Sequence, residues 1–277
     1  MYGVLSIPNT AALVAECWIE AERALRHQVQ KYSPGIDEEG ITLSFHIKLA
    51  ESLYSASDTK KIERAFTRDF KLSFPNDFDL QIEPEQIARG LRASVTLHRR
   101  ATETLTGGDF GLVIQRPHIQ LRHSSLRVTH YGRGLLTQAK LKSRQGRPFF
   151  TKNQQKVLPE RLDYLALLLY RYSDIAMREL NPFTWQIANG ISFERLKTLL
   201  KEDSFPNRLT SADIIKQLST AKIGTDNREL INDWVSPDSN RSLVIEINWP
   251  PGEHPGSEIH VHSRYQVRNV QRILVQR

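Results

Sequence analysis

Two short apolar runs carry polar residues that a strand inside a core does not keep without a use. The first, Gly108-Asp109-Phe110-Gly111-Leu112-Val113-Ile114, opens on a carboxylate. The second, Gly134-Leu135-Leu136-Thr137-Gln138-Ala139-Lys140, closes on an amide and an ammonium. Both have the length and apolar character of β-strands. Residues two apart on a strand share a face, so Gln138 and Lys140 point one way and Thr137 and Ala139 the other. Placed side by side, the two runs bring Asp109, Gln138 and Lys140 to one point.

The charge around this point is one-sided. Between Asp109 and Glu160 there is no acidic residue, and the interval 110–159 holds ten cations: Arg116, Arg122, Arg127, Arg133, Lys140, Lys142, Arg144, Arg147, Lys152 and Lys156. The chain carries +7 in total, with 38 Lys and Arg against 31 Asp and Glu. Outside the interval 28 cations face 31 acids, a balance of −3. The basic character is therefore local, which points to a polyanionic partner, nucleic acid before a membrane surface. Lys142, Arg144, Arg147 and Lys152 are the candidate phosphate contacts. Phe149-Phe150 lies among them and can either stack on bases or anchor the loop.

An acid and a lysine on neighbouring strands in a positive field suit cleavage of such a polymer. A carboxylate can hold Mg²⁺, with Mn²⁺ as a substitute, and the ion polarises a phosphate and acidifies bound water. A lysine beside it offsets charge that develops in the transition state. Gln138 would be a neutral oxygen ligand. Glu103, six residues before Asp109 and across a Gly-Gly turn, would be a second carboxylate. The expected metal set is thus Glu103, Asp109 and Gln138, with Lys140 completing the catalytic group. The plainer reading has Asp109 capping a turn and Lys140 reaching for solvent from a strand end.

The remainder of the chain divides by periodicity. Residues 10–32 and 38–56 have helical spacing, a third helix is expected over 59–70 capped at Ser57-Asp58, and Pro84 opens a short fourth. Strands are expected at 95–98, 110–115 and 135–141, with another strand or a hairpin over 119–130, Pro117 ending or bending one strand and Gly132-Arg133-Gly134 forming a turn. Leucines at 158, 162, 165 and 169 predict a long helix over 153–177, although Pro159 sits awkwardly within it. Its opening pair, Gln154-Gln155, can face the site. Beyond it, a strand at 184–188, helices at 193–201 and 211–218, and a strand at 242–249 are expected, with weaker strands at 259–262 and 270–275. The overall expectation is a mixed α/β (α+β) fold: a helical region over 1–84, a core over 85–190, and a mixed segment over 191–277 packed on that core.

With Gly107-Gly108-Asp109 and Gln138-Ala139-Lys140 in place, the chain resembles the PD-(D/E)xK, or restriction-endonuclease-like, nuclease superfamily. The similar branch is the one whose motif reads D…QxK, as in Mrr-type restriction endonucleases. The resemblance covers roughly 85–190. It implies a mixed central sheet flanked by helices, Asp109 and Gln138 at a metal, and Lys140 as the catalytic lysine. It also implies an additional acid, often in a helix before the first strand, where Glu83 or Glu85 would compete with Glu103. A restriction or anti-phage role on DNA, with a homodimer or a partner defence protein, follows from the same resemblance.

Other classes are weaker. Cys17 is the only cysteine, so an intrachain disulfide is excluded. No apolar run reaches the length of a membrane span and no signal-peptide pattern opens the chain, so a cytoplasmic location is expected. His260-Val261-His262 places two imidazoles on one strand face near His254, a pattern that can bind a transition metal. Two readings without catalysis stay open. One is a nucleic-acid-binding protein on a nuclease-like fold; the other is a structural subunit that binds an acidic protein.

Overall fold

A computed structural model of the chain describes residues 3–32, 35–75, 83–97, 108–122, 125–142, 149–173, 177–236, 242–250 and 258–260. It shows a mixed sheet between two helical layers. The strands are β1 (Gly3–Val4), β2 (Arg92–Leu97), β3 (Phe110–Arg122), β4 (Ser125–Lys142), β5 (Leu165–Arg171), β6 (Thr184–Ile187), β7 (Leu209–Thr210), β8 (Ser242–Asn248) and β9 (Glu258–His260). Seven run in the order β2-β8-β3-β4-β5-β6-β7, while β1 pairs with β3 and β9 with β4. The β3–β4 hairpin is antiparallel, with Phe110 opposite Thr137. Strand β5 lies parallel to β4, and β8 lies parallel to β3. Strand β8, from the last part of the chain, therefore sits between β2 and β3, one strand in from the edge of the sheet.

One face of the sheet is covered by α1 (Pro8–Tyr32), α2 (Glu38–Asp58), α3 (Lys61–Ser73), the short α4 (Pro84–Ala88) and α7 (Ser211–Ser219). Their apolar stripes meet Leu112, Ile114, Leu135, Ala139, Leu168 and Tyr170 in the larger core cluster. The other face is covered by α5 (Lys152–Val157), a 3₁₀ turn (Leu158–Tyr164), α6 (Phe193–Glu202) and α8 (Arg228–Val235). These pack on Val113, Leu136, Leu165, Leu167, Leu169 and Val244. Alternate strand residues thus feed two cores, as a sheet covered on both faces requires. Cys17 packs inside the first of them. Among the described residues no helix is long and apolar enough to cross a membrane.

Four sequence expectations are corrected. The long helix over 153–177 does not form. Helix α5 stops at Val157, the 3₁₀ turn carries Pro159, and Leu165–Arg171 is a strand. The run Leu-Ala-Leu-Leu-Leu-Tyr is buried on both sides, so helical and strand patterns both fit it, and Pro159 decides by removing a donor from the helix interior. Next, Pro117 does not end a strand, because β3 continues through it opposite His130. Gly132 and Gly134 make no turn and lie inside β4. They are needed for close approach: a Cβ on Gly134 would sit 2.6 Å from the Trp234 ring, and one on Gly132 would sit 2.8 Å from Ile231. The glycines give α8 a flat seat on the sheet. Finally, α3 is not capped by Ser57-Asp58. Its N-cap is Lys60, in a left-handed conformation with no side-chain bond, and the Ser57 hydroxyl is spent on the backbone of Ala93.

Candidate active site

The register explains why polar groups collect at the far end of β4. Strand β3 begins at Phe110 opposite Thr137, whereas β4 runs on to Lys142. Alternate N–H groups of a strand point to the same neighbour. The N–H groups of Ala139 and Leu141, about 6.8 Å apart, therefore face the side where β3 has only just begun.

Both are met by carboxylates. Ala139 N–H donates to Asp109 Oδ2 at 2.6 Å. Asp109 is held there by its own N–H, which donates to the Thr137 carbonyl at 2.8 Å. Leu141 N–H donates to Glu38 Oε2 at 2.6 Å. Glu38 opens α2, whose N-cap Asp37 accepts the Gly40 N–H at 2.8 Å. Thr42 donates to the Glu38 carbonyl at 2.8 Å, which leaves the Tyr170 hydroxyl to donate to Thr42 at 3.0 Å. Tyr170 lies on β5 directly opposite Leu141. Burial pushes its hydroxyl well above the usual phenol range, and the negative charges of Glu38, Asp109 and Glu22 push the same way. The tyrosine stays a neutral donor and pins the first turn of α2.

Gln138 and Lys140 project from the opposite face of β4, toward the second helical layer. Gln138 is fully buried. Its amide nitrogen donates to Asp109 Oδ2 and to the Ala139 carbonyl, and its oxygen accepts from Gln154 Nε2 at 2.9 Å. Gln154 is itself fixed by a capping box: its Oε1 accepts the Thr151 N–H at 3.0 Å, and its N–H donates to Thr151 Oγ1 at 3.2 Å. The chain of amides from α5 to Asp109 thus has one consistent donor direction. Gln155 faces elsewhere and donates to the Phe150 carbonyl. Lys140 is 8% exposed, and its ammonium forms no hydrogen bond or ion pair with any described residue.

Asp109 and Gln138 are brought into hydrogen-bond contact, and Lys140 follows two residues further along β4. Glu38 reaches the same strand at Leu141, and sequence reasoning missed it. Acids in a first helical turn are common, Glu39 is its neighbour, and nothing in the sequence links Glu38 to a strand 103 residues away. Glu83 and Glu85 lie at α4, where Glu85 pairs with Lys71 at 2.6 Å. Glu103, Arg144, Arg147, His254 and His262 lie outside the described residues, and of His260 only its backbone pairing in β9 is described.

The acid-free interval does not stay acid-free in space. Lys142 pairs with Asp203 at 2.6 Å, and Asp203 also takes Arg171 and Arg208. Arg133 donates to the Ile223 and Gly224 carbonyls at 2.6 and 2.9 Å and lies 3.6 Å from Asp226. Arg116 lies over the Tyr131 ring at 5.6 Å. Burial depresses its guanidinium pKa, and it also lowers His118, with Arg116 adding to the shift. Lys152 remains exposed beside α5.

Mg²⁺ takes oxygen ligands, most often one or two carboxylates completed by water. Asp109 and Glu38 meet that requirement. Gln138 presents nitrogen to Asp109 and would have to turn its amide, giving up Gln154, to offer oxygen. Among the described residues no group of three or more His, Cys, Asp or Glu is arranged to hold a metal, so an ion here would rest on the two carboxylates. Comparison with protein-family models, curated proteins and solved structures gives no match.

Proposed function

We propose that the chain is a metal-dependent nuclease that hydrolyses phosphodiester bonds of DNA, on a restriction-endonuclease-like core. One observation supports this reading: the carboxylates of Asp109 and Glu38 accept the N–H groups of Ala139 and Leu141, the residues on either side of Lys140 in β4. Asp109 and Glu38 would hold Mg²⁺ or Mn²⁺; Glu38 lies outside the stretch covered by the resemblance and is added on the strength of its bond to the Leu141 N–H. The ion would acidify a water and polarise the scissile phosphate. Lys140 would bind the phosphate and offset the charge that builds on it. Gln138, oriented by Gln154, holds Asp109 in place through its amide. A role in restriction or defence against foreign DNA, with a homodimer or a protein partner, belongs to the same proposal.

The orientation of Gln138 favours a second reading, a DNA-binding protein without catalysis, because a donated hydrogen bond occupies Asp109. Incubation of the pure protein with plasmid DNA in Mg²⁺, Mn²⁺ or EDTA separates the two. The nuclease reading expects metal-dependent nicking that Asp109→Ala and Lys140→Ala abolish while DNA binding persists. Cutting that survives both substitutions would overturn the site; salt-sensitive binding with no cutting under any condition would favour the second reading.

A further inference from the structure

The far ends of the parallel strands β4 and β5 carry a second set of cations. Lys142 and Arg171 close the two strands and lie side by side in the register. Lys142 shares its strand face with Lys140, two residues earlier and about 6.8 Å away along β4. Both Lys142 and Arg171 reach Asp203, the residue that ends α6 in a left-handed conformation, with φ at 57°. Lys142 Nζ donates to Asp203 Oδ2 at 2.6 Å, and Arg171 donates to Oδ1. Arg208 joins them: its Nη2 donates to the Asp203 carbonyl at 2.5 Å and lies 3.4 Å from Oδ1. Three positive charges therefore meet one negative charge, a surplus of two, and no other acid among the described residues pairs with them. Burial depresses the Arg171 pKa against the pull of Asp203, and the nearby Arg208 pushes the same way as burial. The cluster thus carries internal repulsion that a bound anion relieves. It is open to one, since the Lys142 and Arg208 side chains are 47% and 35% exposed. The C-terminal ends of parallel strands are also where an open α/β sheet takes its ligands.

We infer that Lys142, Arg171 and Arg208 form a second phosphate site, which holds the backbone phosphate next to the one at Lys140 on the same DNA strand. This rests on the nuclease reading and adds a subsite to it. One cation balances Asp203, whose carboxylate gathers the three heads, and the two remaining charges face the phosphate. The guanidinium forks of Arg171 and Arg208 suit its oxygens. Lys142 was expected as a phosphate contact from the sequence, whereas Arg171 and Arg208 lie outside the interval 110–159 and join it only through Asp203. Such a site fixes the register of the strand without reading its bases.

The test is equilibrium binding of a short fluorescein-labelled DNA duplex in EDTA over a series of KCl concentrations. The slope of log K against log salt counts phosphate contacts at about 0.9 each. Arg171→Gln combined with Arg208→Gln leaves Lys142 and Asp203 balanced one to one. Its slope is expected to be shallower by about 0.9, with affinity about eightfold weaker at about 0.1 M salt. Asp203→Asn keeps an oxygen acceptor, suits the left-handed backbone and removes the competing charge, so it should bind more tightly than wild type. Lys216→Gln removes a charge from α7, in the layer on the other face of the sheet, and should leave the slope unchanged. If the double variant keeps the wild-type slope, if Lys216→Gln flattens it equally, or if Asp203→Asn weakens binding, this inference fails and the nuclease reading stands. Displacement of the duplex by inorganic phosphate at matched ionic strength would mark a site for the free ion and overturn the assignment to a DNA strand. If wild type binds no duplex, the nuclease reading fails and this inference with it.

Discussion

Glu22 makes the stability of this protein fall as pH rises through neutrality. The carboxylate is 6% exposed within α1. It accepts hydrogen bonds from Trp18 Nε1 at 2.9 Å, from the Phe183 N–H at 3.3 Å, and from the Ser211 hydroxyl. Burial raises its pKa to about 7, against the opposing pull of those bonds and of Arg26. An acid raised in the folded state binds its proton more tightly there than in the unfolded chain. Stability is therefore full below the unfolded value, near 4.5, and declines until the pH passes the folded value, near 7. At about 1.36 kcal/mol per decade, that displacement corresponds to about 3 kcal/mol, most of it lost between pH 5 and pH 8. The assay is urea unfolding of wild type and Glu22→Gln at several pH values across that range. Glutamine does not titrate, so the stability of wild type relative to the variant should drop by about 2–3 kcal/mol from pH 5 to pH 8. Any fixed cost of placing an amide against the Phe183 N–H cancels in that difference. Parallel stability curves would refute the argument, because they would show that Glu22 keeps an ordinary pKa in its buried site.

Two further substitutions test the seat of α8 and the role of α2. Gly134→Ala drives a methyl into the Trp234 ring at 2.6 Å, with Val113 at 3.3 Å behind it, and should cost about 1–3 kcal/mol in chemical denaturation; a neutral result would mean that α8 is not packed on the glycines of β4. Glu38→Gln keeps an oxygen for the Leu141 N–H but removes the charge, so the fold should persist while Mn²⁺ affinity, read by calorimetry, and plasmid nicking both fall at least about tenfold. Nicking at the wild-type rate would remove Glu38 from the site.

The helical layer was legible because its signals are local. Leu13, Val14, Cys17, Trp18, Ala21 and Leu25 recur at helical spacing over α1, and Thr210 caps α7 through a bond to the Asp213 N–H at 3.2 Å. The shared face of Gln138 and Lys140 was legible because a strand has a period of two. The segment around Leu165–Tyr170 was misread because residues buried on both sides carry no periodicity to read. Gly132 and Gly134 were misread because a glycine kept for close packing and a glycine kept for a turn are the same letter.

The sequence alone determined which residues alternate, where α1 and α2 run, and that Asp109 and Lys140 belong to apolar strands. Only the tertiary structure decided what stands beside them. It placed β8 from the last part of the chain between β2 and β3, brought Glu38 from α2 to the Leu141 N–H, and put Asp203 against Lys142. Local propensity acts over a few residues through backbone sterics and side-chain spacing. The two carboxylate contacts join residues 103 and 61 apart in the chain, and nothing in the identity of a lone glutamate or aspartate specifies its distant partner until packing has fixed the register.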